Sequence, residues 1–154
     1  MALKEGNKVP AFTGVTADGS ITAKDLKGQI TVLYFYPKDD TPGCTVEACD
    51  FRDNLPKFKR LKAKVYGISK DSLKSHEKFA SKYELPFTLI SDEDGNICES
   101  FGTWVEKSMY GRKYKGIDRA TFLIDEKGII QKIWRKVKVS GHVDEVIDEI
   151  KNIK

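Results

Sequence analysis

The chain has little of what marks a membrane protein, a metalloprotein or a disulfide-stapled domain: three cysteines, two histidines and a mean hydropathy of −0.45 across 154 residues. No apolar run approaches the ~18 residues a membrane span needs. The opening Met1-Ala2-Leu3-Lys4-Glu5-Gly6 lacks the apolar core of a secretory signal, so a cytoplasmic location is expected. An odd cysteine count without such a signal argues against a disulfide framework and for free thiols, reactive or buried. The pair Cys44 and Cys49 has neither Cys-x2-Cys redox spacing nor zinc-knuckle spacing, and His76 and His142 lie far off in sequence. Neither metal nor cofactor is therefore expected. A net charge of +4 is modest, and the basic stretch Lys57-Phe58-Lys59-Arg60-Leu61-Lys62-Ala63-Lys64 has apolar residues at helical spacing. It reads as a solvated helix face, which leaves nucleic acid off the list of partners. Repeats, linkers and low-complexity segments are absent, and residues 1–154 are expected to form one domain with its own core.

Periodicity then orders the elements. A hairpin is predicted over Phe12 to Thr22 around Ala17-Asp18-Gly19-Ser20, followed by a turn at Lys27-Gly28-Gln29. The strand Ile30 to Tyr36 is almost continuously apolar, as a central strand covered on both faces should be. After Gly43 a helical pattern runs to about Leu61 through Pro56, then a strand from Lys64 to Ser69, an amphipathic helix from Ser72 to Tyr83 and a strand from Phe87 to Ser91. A short helix is expected near Asn96 to Phe101. A hairpin follows, Ala120 to Asp125 and Ile129 to Lys136, and a last helix, His142 to Ile153, is capped by Ser140 and turns Val143, Val146, Ile147 and Ile150 inward. Alternating strands and helices imply right-handed parallel crossovers, hence an α/β fold with a mixed central sheet flanked by helices.

The segment Pro37-Lys38-Asp39-Asp40-Thr41-Pro42-Gly43-Cys44-Thr45-Val46-Glu47-Ala48-Cys49 concentrates the chemistry. It sets Cys44 in the first turn of a helix, where unpaired N–H groups favour a thiolate, the reactive form of cysteine. Cys44 is the candidate nucleophile. Cys49 five residues later suggests a redox pair, although a small buried helix residue is the plainer reading. In an ideal helix the two Cα atoms stand roughly 8 to 9 Å apart. Bridging needs less than ~7 Å, so a disulfide between them requires the helix to unwind.

Pro37-x3-Thr41-x2-Cys44 resembles the Pro-x-x-x-Thr-x-x-Cys signature of peroxiredoxins, and Thr41 through Asp53 is similar to their Q subgroup, the bacterioferritin comigratory proteins. The likeness extends through Gly6 to Phe12, Tyr34 to Pro37, Ile68 to Ser72 and Arg119 to Asp125. It implies a thioredoxin-like fold with an added N-terminal β-hairpin, and reduction of hydrogen peroxide and organic hydroperoxides without a cofactor. By the same resemblance Cys44 becomes a sulfenic acid, Cys49 resolves it as an intramolecular disulfide, and a thioredoxin- or glutaredoxin-like donor reduces the disulfide in a monomeric enzyme. Thr41 and Pro37 are then expected to shape the pocket, Gly43 to offer a backbone N–H to the substrate, Arg119 to sit beside Cys44, and Glu47 to orient Arg119. A thiol–disulfide oxidoreductase and a non-catalytic redox sensor or holdase are the alternatives. Cys98 is expected to be a buried inert thiol, with a resolving or intermolecular role as the alternative; His76 and His142 are read as structural. Trp104 and Trp134 are read as packing, with Trp104 also a candidate for the rim of a hydroperoxide entrance.

Overall fold

All six residues of Ile30–Phe35 are buried, as a strand covered on both faces must be, and the rest of the fold is arranged around it. The computed structural model describes residues 3–154. In chain order its elements are β1 (Thr13–Thr16), β2 (Gly19–Thr22), a 3-10 turn (Ala23–Leu26), β3 (Ile30–Phe35), α1 (Pro42–Arg60), β4 (Ala63–Ser69), α2 (Leu73–Lys82), β5 (Thr88–Ser91), α3 (Asn96–Ser100), β6 (Trp104–Met109), β7 (Arg112–Ile117), β8 (Ala120–Ile124), β9 (Ile130–Trp134) and α4 (His142–Ile153). Seven strands form one sheet in the order β2-β1-β5-β4-β3-β8-β9. β3, β4 and β5 are parallel, joined through α1 and α2, whereas β8, β9 and the β1–β2 hairpin run antiparallel. The expected α/β class, mixed sheet and N-terminal hairpin are all present.

Side-chain parity divides the interior into two layers. Val32, Tyr34 and Tyr36 face a cluster built with Cys44, Ala48, Phe51 and Phe58 of α1 and Val143, Val146 and Ile150 of α4. Leu33 and Phe35 face the other cluster, with Ile97, Cys98, Phe101 and Phe122. Pro56 sits inside α1 without ending it.

The structure adds one element to those read from the sequence and corrects one expectation. The segment 104–117 is a separate two-stranded sheet, β6–β7, joined through Tyr110 and Gly111, both at positive φ. Its mixed polar sequence, with Lys107, Lys113 and Lys115 among exposed and half-buried positions, gave no alternation to read. Ser140 does not cap α4. The cap position is Gly141 at φ 76, a left-handed conformation that suits glycine and carries no side-chain cap bond.

His142 opens α4 and is buried, sharing a 2.8 Å hydrogen bond with Thr121 of β8 and standing edge-on to Trp134 at 5.5 Å. Burial, helped by the nearby Arg119 charge, lowers its pKa from 6.5 to about 4. Folding therefore favours the neutral ring. Stability present above pH 6.5 is lost as the pH falls toward 4, because the unfolded chain takes up the proton first. The loss should reach about 3 kcal/mol. Denaturant titrations at pH 7 and pH 4.5 should show His142→Gln losing correspondingly less than wild type on acidification. Equal losses would place the acid sensitivity elsewhere.

Candidate active site

Between β3 and α1 runs the link Tyr36-Pro37-Lys38-Asp39-Asp40-Thr41. Pro42 takes the first position of α1, where a missing N–H costs no helical hydrogen bond. Cys44 is therefore the third helical residue, its N–H among the donors no helical carbonyl satisfies. Its side chain is only 2% exposed. Both Cys44 and Cys49 are free thiols on the unbroken α1, Cys49 half-buried.

Arg119 reaches this thiol from the turn between β7 and β8. Its Nη2 donates to Cys44 Sγ at 3.3 Å and its Nη1 to Glu47 Oε1 at 2.7 Å, so one planar fork spans the sulfur and the carboxylate. The Arg119 carbonyl, accepting from Val137 N–H at 3.0 Å, ties the turn in place. Gly43 makes the approach possible. A Cβ built there would lie 3.2 Å from Arg119 Nη2, tighter than an ordinary contact.

Glu47 lies three residues after Cys44, on the same face of α1, and is fully buried. Burial raises its pKa from 4.5 to about 7, although Arg119 pulls the other way, and among the described residues its second oxygen has no hydrogen-bond partner. Burial would lower the pKa of Arg119, but Glu47 and Cys44 outweigh it, and the guanidinium is held more firmly charged than usual. The Tyr34 ring stacks on Phe51 of α1 at 4.6 Å, its hydroxyl equally unpartnered.

The remaining expected residues sit less simply. Thr41 is the cap residue of α1, yet its hydroxyl donates to Lys38 O at 2.9 Å, and no hydrogen bond joins it to Cys44 among the described residues. Pro37 is solvent-exposed at the start of the link. Cys98 belongs to the cluster on the opposite side of the sheet from Cys44, and burial together with Asp92 pushes its thiol far above the usual range, which disfavours the reactive thiolate there. Trp104 packs on that same far side, with Lys70 Nζ 4.0 Å over its ring. His76 is buried among hydrogen bonds, as read from sequence.

Asp39, which sequence reasoning passed over, lies at the centre of those bonds. Its carboxylate accepts from Tyr36 OH at 2.6 Å and Ser75 Oγ at 2.8 Å, and pairs with His76 Nδ1 at 2.7 Å. The available signal was an acid inside the motif and a histidine on the apolar face of the next helix. Asp39, Asp71 and His76 bring their ligand-type atoms within 4.8 Å of one another, but each already has protein partners. A sulfur held by a guanidinium at a helix N-terminus suits nucleophilic attack on a group that leaves with negative charge.

The AhpC/TSA family matches residues 6–133. A peroxiredoxin bcp of Coxiella burnetii is 54% identical over 151 residues, covering 97% of this chain and 100% of that one. A PrxQ cysteine mutant from Xylella fastidiosa superposes with a TM-score of 0.92 at 38% identity, covering 99% and 98%. The Xanthomonas campestris bacterioferritin comigratory protein, solved as trapped intermediate and ligand complexes in connection with alkyl peroxide reduction, gives 0.87 at 43% identity, covering 92% and 90%. Sheet, thiol and guanidinium thus define a peroxidase that works through a cysteine. The chain belongs to the AhpC/TSA family, in its Bcp or peroxiredoxin Q branch, and takes its electrons from a thiol reductant.

Glu47→Gln tests the clamp on Arg119. Above pH 7 the ionised carboxylate holds the guanidinium, and below it the protonated form holds it less. The ratio of wild-type to variant rate constants for the reaction with peroxide should therefore grow as the pH rises through 7, reaching roughly tenfold at pH 8. A ratio that stays flat would mean that Glu47 does not act by its charge. The folded protein binds this proton more tightly than the unfolded chain between pH 4.5 and 7, so stability is lost as pH rises through 7. The variant should accordingly be no less stable than wild type at pH 8.

Proposed function

We propose that Cys44 is the peroxidatic nucleophile and that Cys49 resolves it. What carries this reading is the 3.3 Å contact of Arg119 with the Cys44 sulfur in the first turn of α1, with Cys49 farther along the same helix. The thiolate attacks the terminal oxygen of the hydroperoxide. An S–O bond forms, the O–O bond breaks, and the alkoxide or hydroxide takes a proton. Arg119 stabilises the thiolate and the charge developing across the breaking bond, with the Gly43 and Cys44 N–H groups as further donors. Thr41 turns its hydroxyl from Lys38 toward the substrate, and Pro37 shapes the link.

The Cys49 thiol then attacks the sulfenic sulfur. A disulfide forms and water leaves. Since Cys44 is buried and the ideal-helix separation is roughly 8 to 9 Å, the first turns of α1 unwind to let this happen. Unwinding also exposes the disulfide to a thioredoxin- or glutaredoxin-like donor, whose thiolate must reach one of the two sulfurs. Alkyl hydroperoxides join hydrogen peroxide as substrates, supported by the reaction studied in the Xanthomonas relative. One domain, a monomer and a cytoplasmic location complete the reading. An intrachain disulfide needs no second subunit, and no helix of the described residues is long and apolar enough to cross a membrane.

Stopped-flow kinetics and mass spectrometry test the assignment. Cys44→Ser should lose turnover to below roughly a tenth of wild type, because a serine hydroxyl cannot replace a thiolate. Arg119→Ala should slow the reaction with peroxide roughly ten- to a thousandfold. Cys49→Ser should keep the first reaction fast, lose thioredoxin-supported turnover and drift to Cys44 sulfinic acid. Normal turnover in Cys49→Ser with a Cys44–Cys98 disulfide would replace Cys49 with Cys98.

A further inference from the structure

The link before Cys44 is held on its far side by a set of buried polar bonds that the chemistry at sulfur does not use. Asp39 is 7% exposed and His76 2%. Besides its three side-chain partners, Asp39 is fixed through its backbone, its N–H donating to Asp71 Oδ2 at 2.8 Å, an oxygen that also accepts from Ser69 Oγ at 2.6 Å. His76 sits on α2 with Nδ1 against Asp39 and Nε2 3.0 Å from Ile90 O. Both ring nitrogens thus face acceptors, and the pair joins the link to α2 and to the ends of β4 and β5. The next residue, Asp40, at φ 55, accepts from Lys82 Nζ at 2.8 Å and Tyr83 OH at 2.7 Å at the other end of α2.

The same helix holds α1 again beyond the cysteines. Arg52 Nη1 donates to Tyr83 O at 2.7 Å, and Phe51 beside it is fully buried against Tyr34. Both Cys44 and Cys49 lie between these two attachments, and Val46 between them is 53% exposed. We infer that Asp39 and His76 form a latch that pins the start of the peroxidatic segment to α2, confining the unwinding that follows Cys44 oxidation to the stretch between the latch and Arg52. They are positioning residues, and the inference rests on Cys49 being the resolving thiol.

Moving the link away from α2 would break the bonds of the Asp39 carboxylate to His76 and Ser75 inside an apolar layer, so the segment yields inside the latch and not through it. Two effects on rate follow. The latch holds Cys44 in register with Arg119, which favours attack on peroxide. It also opposes the local unfolding that brings Cys49 to the sulfenic acid, which prolongs the time a second hydroperoxide has to oxidise Cys44 to sulfinic acid, itself becoming an alcohol or water.

The test replaces both partners by apolar residues, Asp39→Ala with His76→Leu, so that no buried charge is stranded. His76→Leu alone should lower the melting temperature. The double variant should recover part of that loss, because the carboxylate and the ring go together, while Tyr36 OH, Ser75 Oγ and Ile90 O still give up a partner. Both should react with peroxide more slowly, by roughly ten- to a hundredfold, the cost of a small misplacement of the reacting groups. Both should also give a severalfold smaller sulfinic fraction per peroxide pulse, counted by mass spectrometry. Ile130→Ala, a cavity in the opposite layer, should lower the melting temperature while leaving attack rate and sulfinic fraction unchanged. Should His76→Leu fail to fold, the double variant carries the test. A double variant with wild-type attack rate or wild-type sulfinic fraction overturns the latch, as does an equal shift in Ile130→Ala. A wild-type protein that forms no Cys44–Cys49 disulfide would instead remove the reading on which the latch rests, and the latch with it.

Discussion

The site depends on one guanidinium placed between a sulfur and a buried carboxylate. Arg119 contacts Cys44 at 3.3 Å and Glu47 at 2.7 Å, bonds that cross more than seventy positions of chain. Neither partner would be comfortable without it. Glu47 is fully buried with one oxygen already unpartnered, and removing the arginine would strand the other. The thiol, in turn, would keep only the helix N-terminus to favour its charge. Much of the fold exists to bring that turn onto that helix: β3 delivers the link and α1, and β8, antiparallel to β3, brings back the strand that Arg119 opens.

The two layers of the interior have separate tasks. One encloses Cys44, Glu47 and the aromatic stack of Tyr34 on Phe51. The other holds Cys98 among Phe35, Phe101 and Phe122, where burial and Asp92 disfavour its thiolate. The sheet between them separates the thiol beside Arg119 from the thiol beside Asp92. Composition alone draws no such line, since all three cysteines count alike in the sequence.

The course of the main elements was legible because their patterns are local. The apolar run of β3, the alternation of strands and helices, and Pro42-Gly43 ahead of Cys44 each follow from residue spacing. Arg119 and Glu47 were readable only through resemblance, since a lone arginine at a strand start and an acid in a first helical turn have ordinary explanations. The β6–β7 hairpin was missed because its polar and apolar residues do not alternate cleanly. The Asp39–His76 pair was missed because it joins residues 37 apart, and its reason appears only when α2 packs beside the link. Thr41 shows a further limit. Its position was legible, but the direction of its hydroxyl, toward Lys38 O, depends on a torsion that no spacing records.

The pairing of β8 with β3 aligns Phe35 with Ala120 and Leu33 with Phe122. Even-numbered side chains of β8 therefore enter the layer of Cys98, while Leu123 enters the layer of Cys44. Arg119, just before the strand, shares the odd parity of Thr121 and Leu123. Because side chains alternate strictly, a slip of a single residue between these strands would turn its guanidinium to the far side of the sheet, toward the wrong cysteine. A chain folded with the right strands in the wrong register would keep its secondary structure and lose the contact between Arg119 and Cys44, so that single contact records the alignment of the sheet to within one residue.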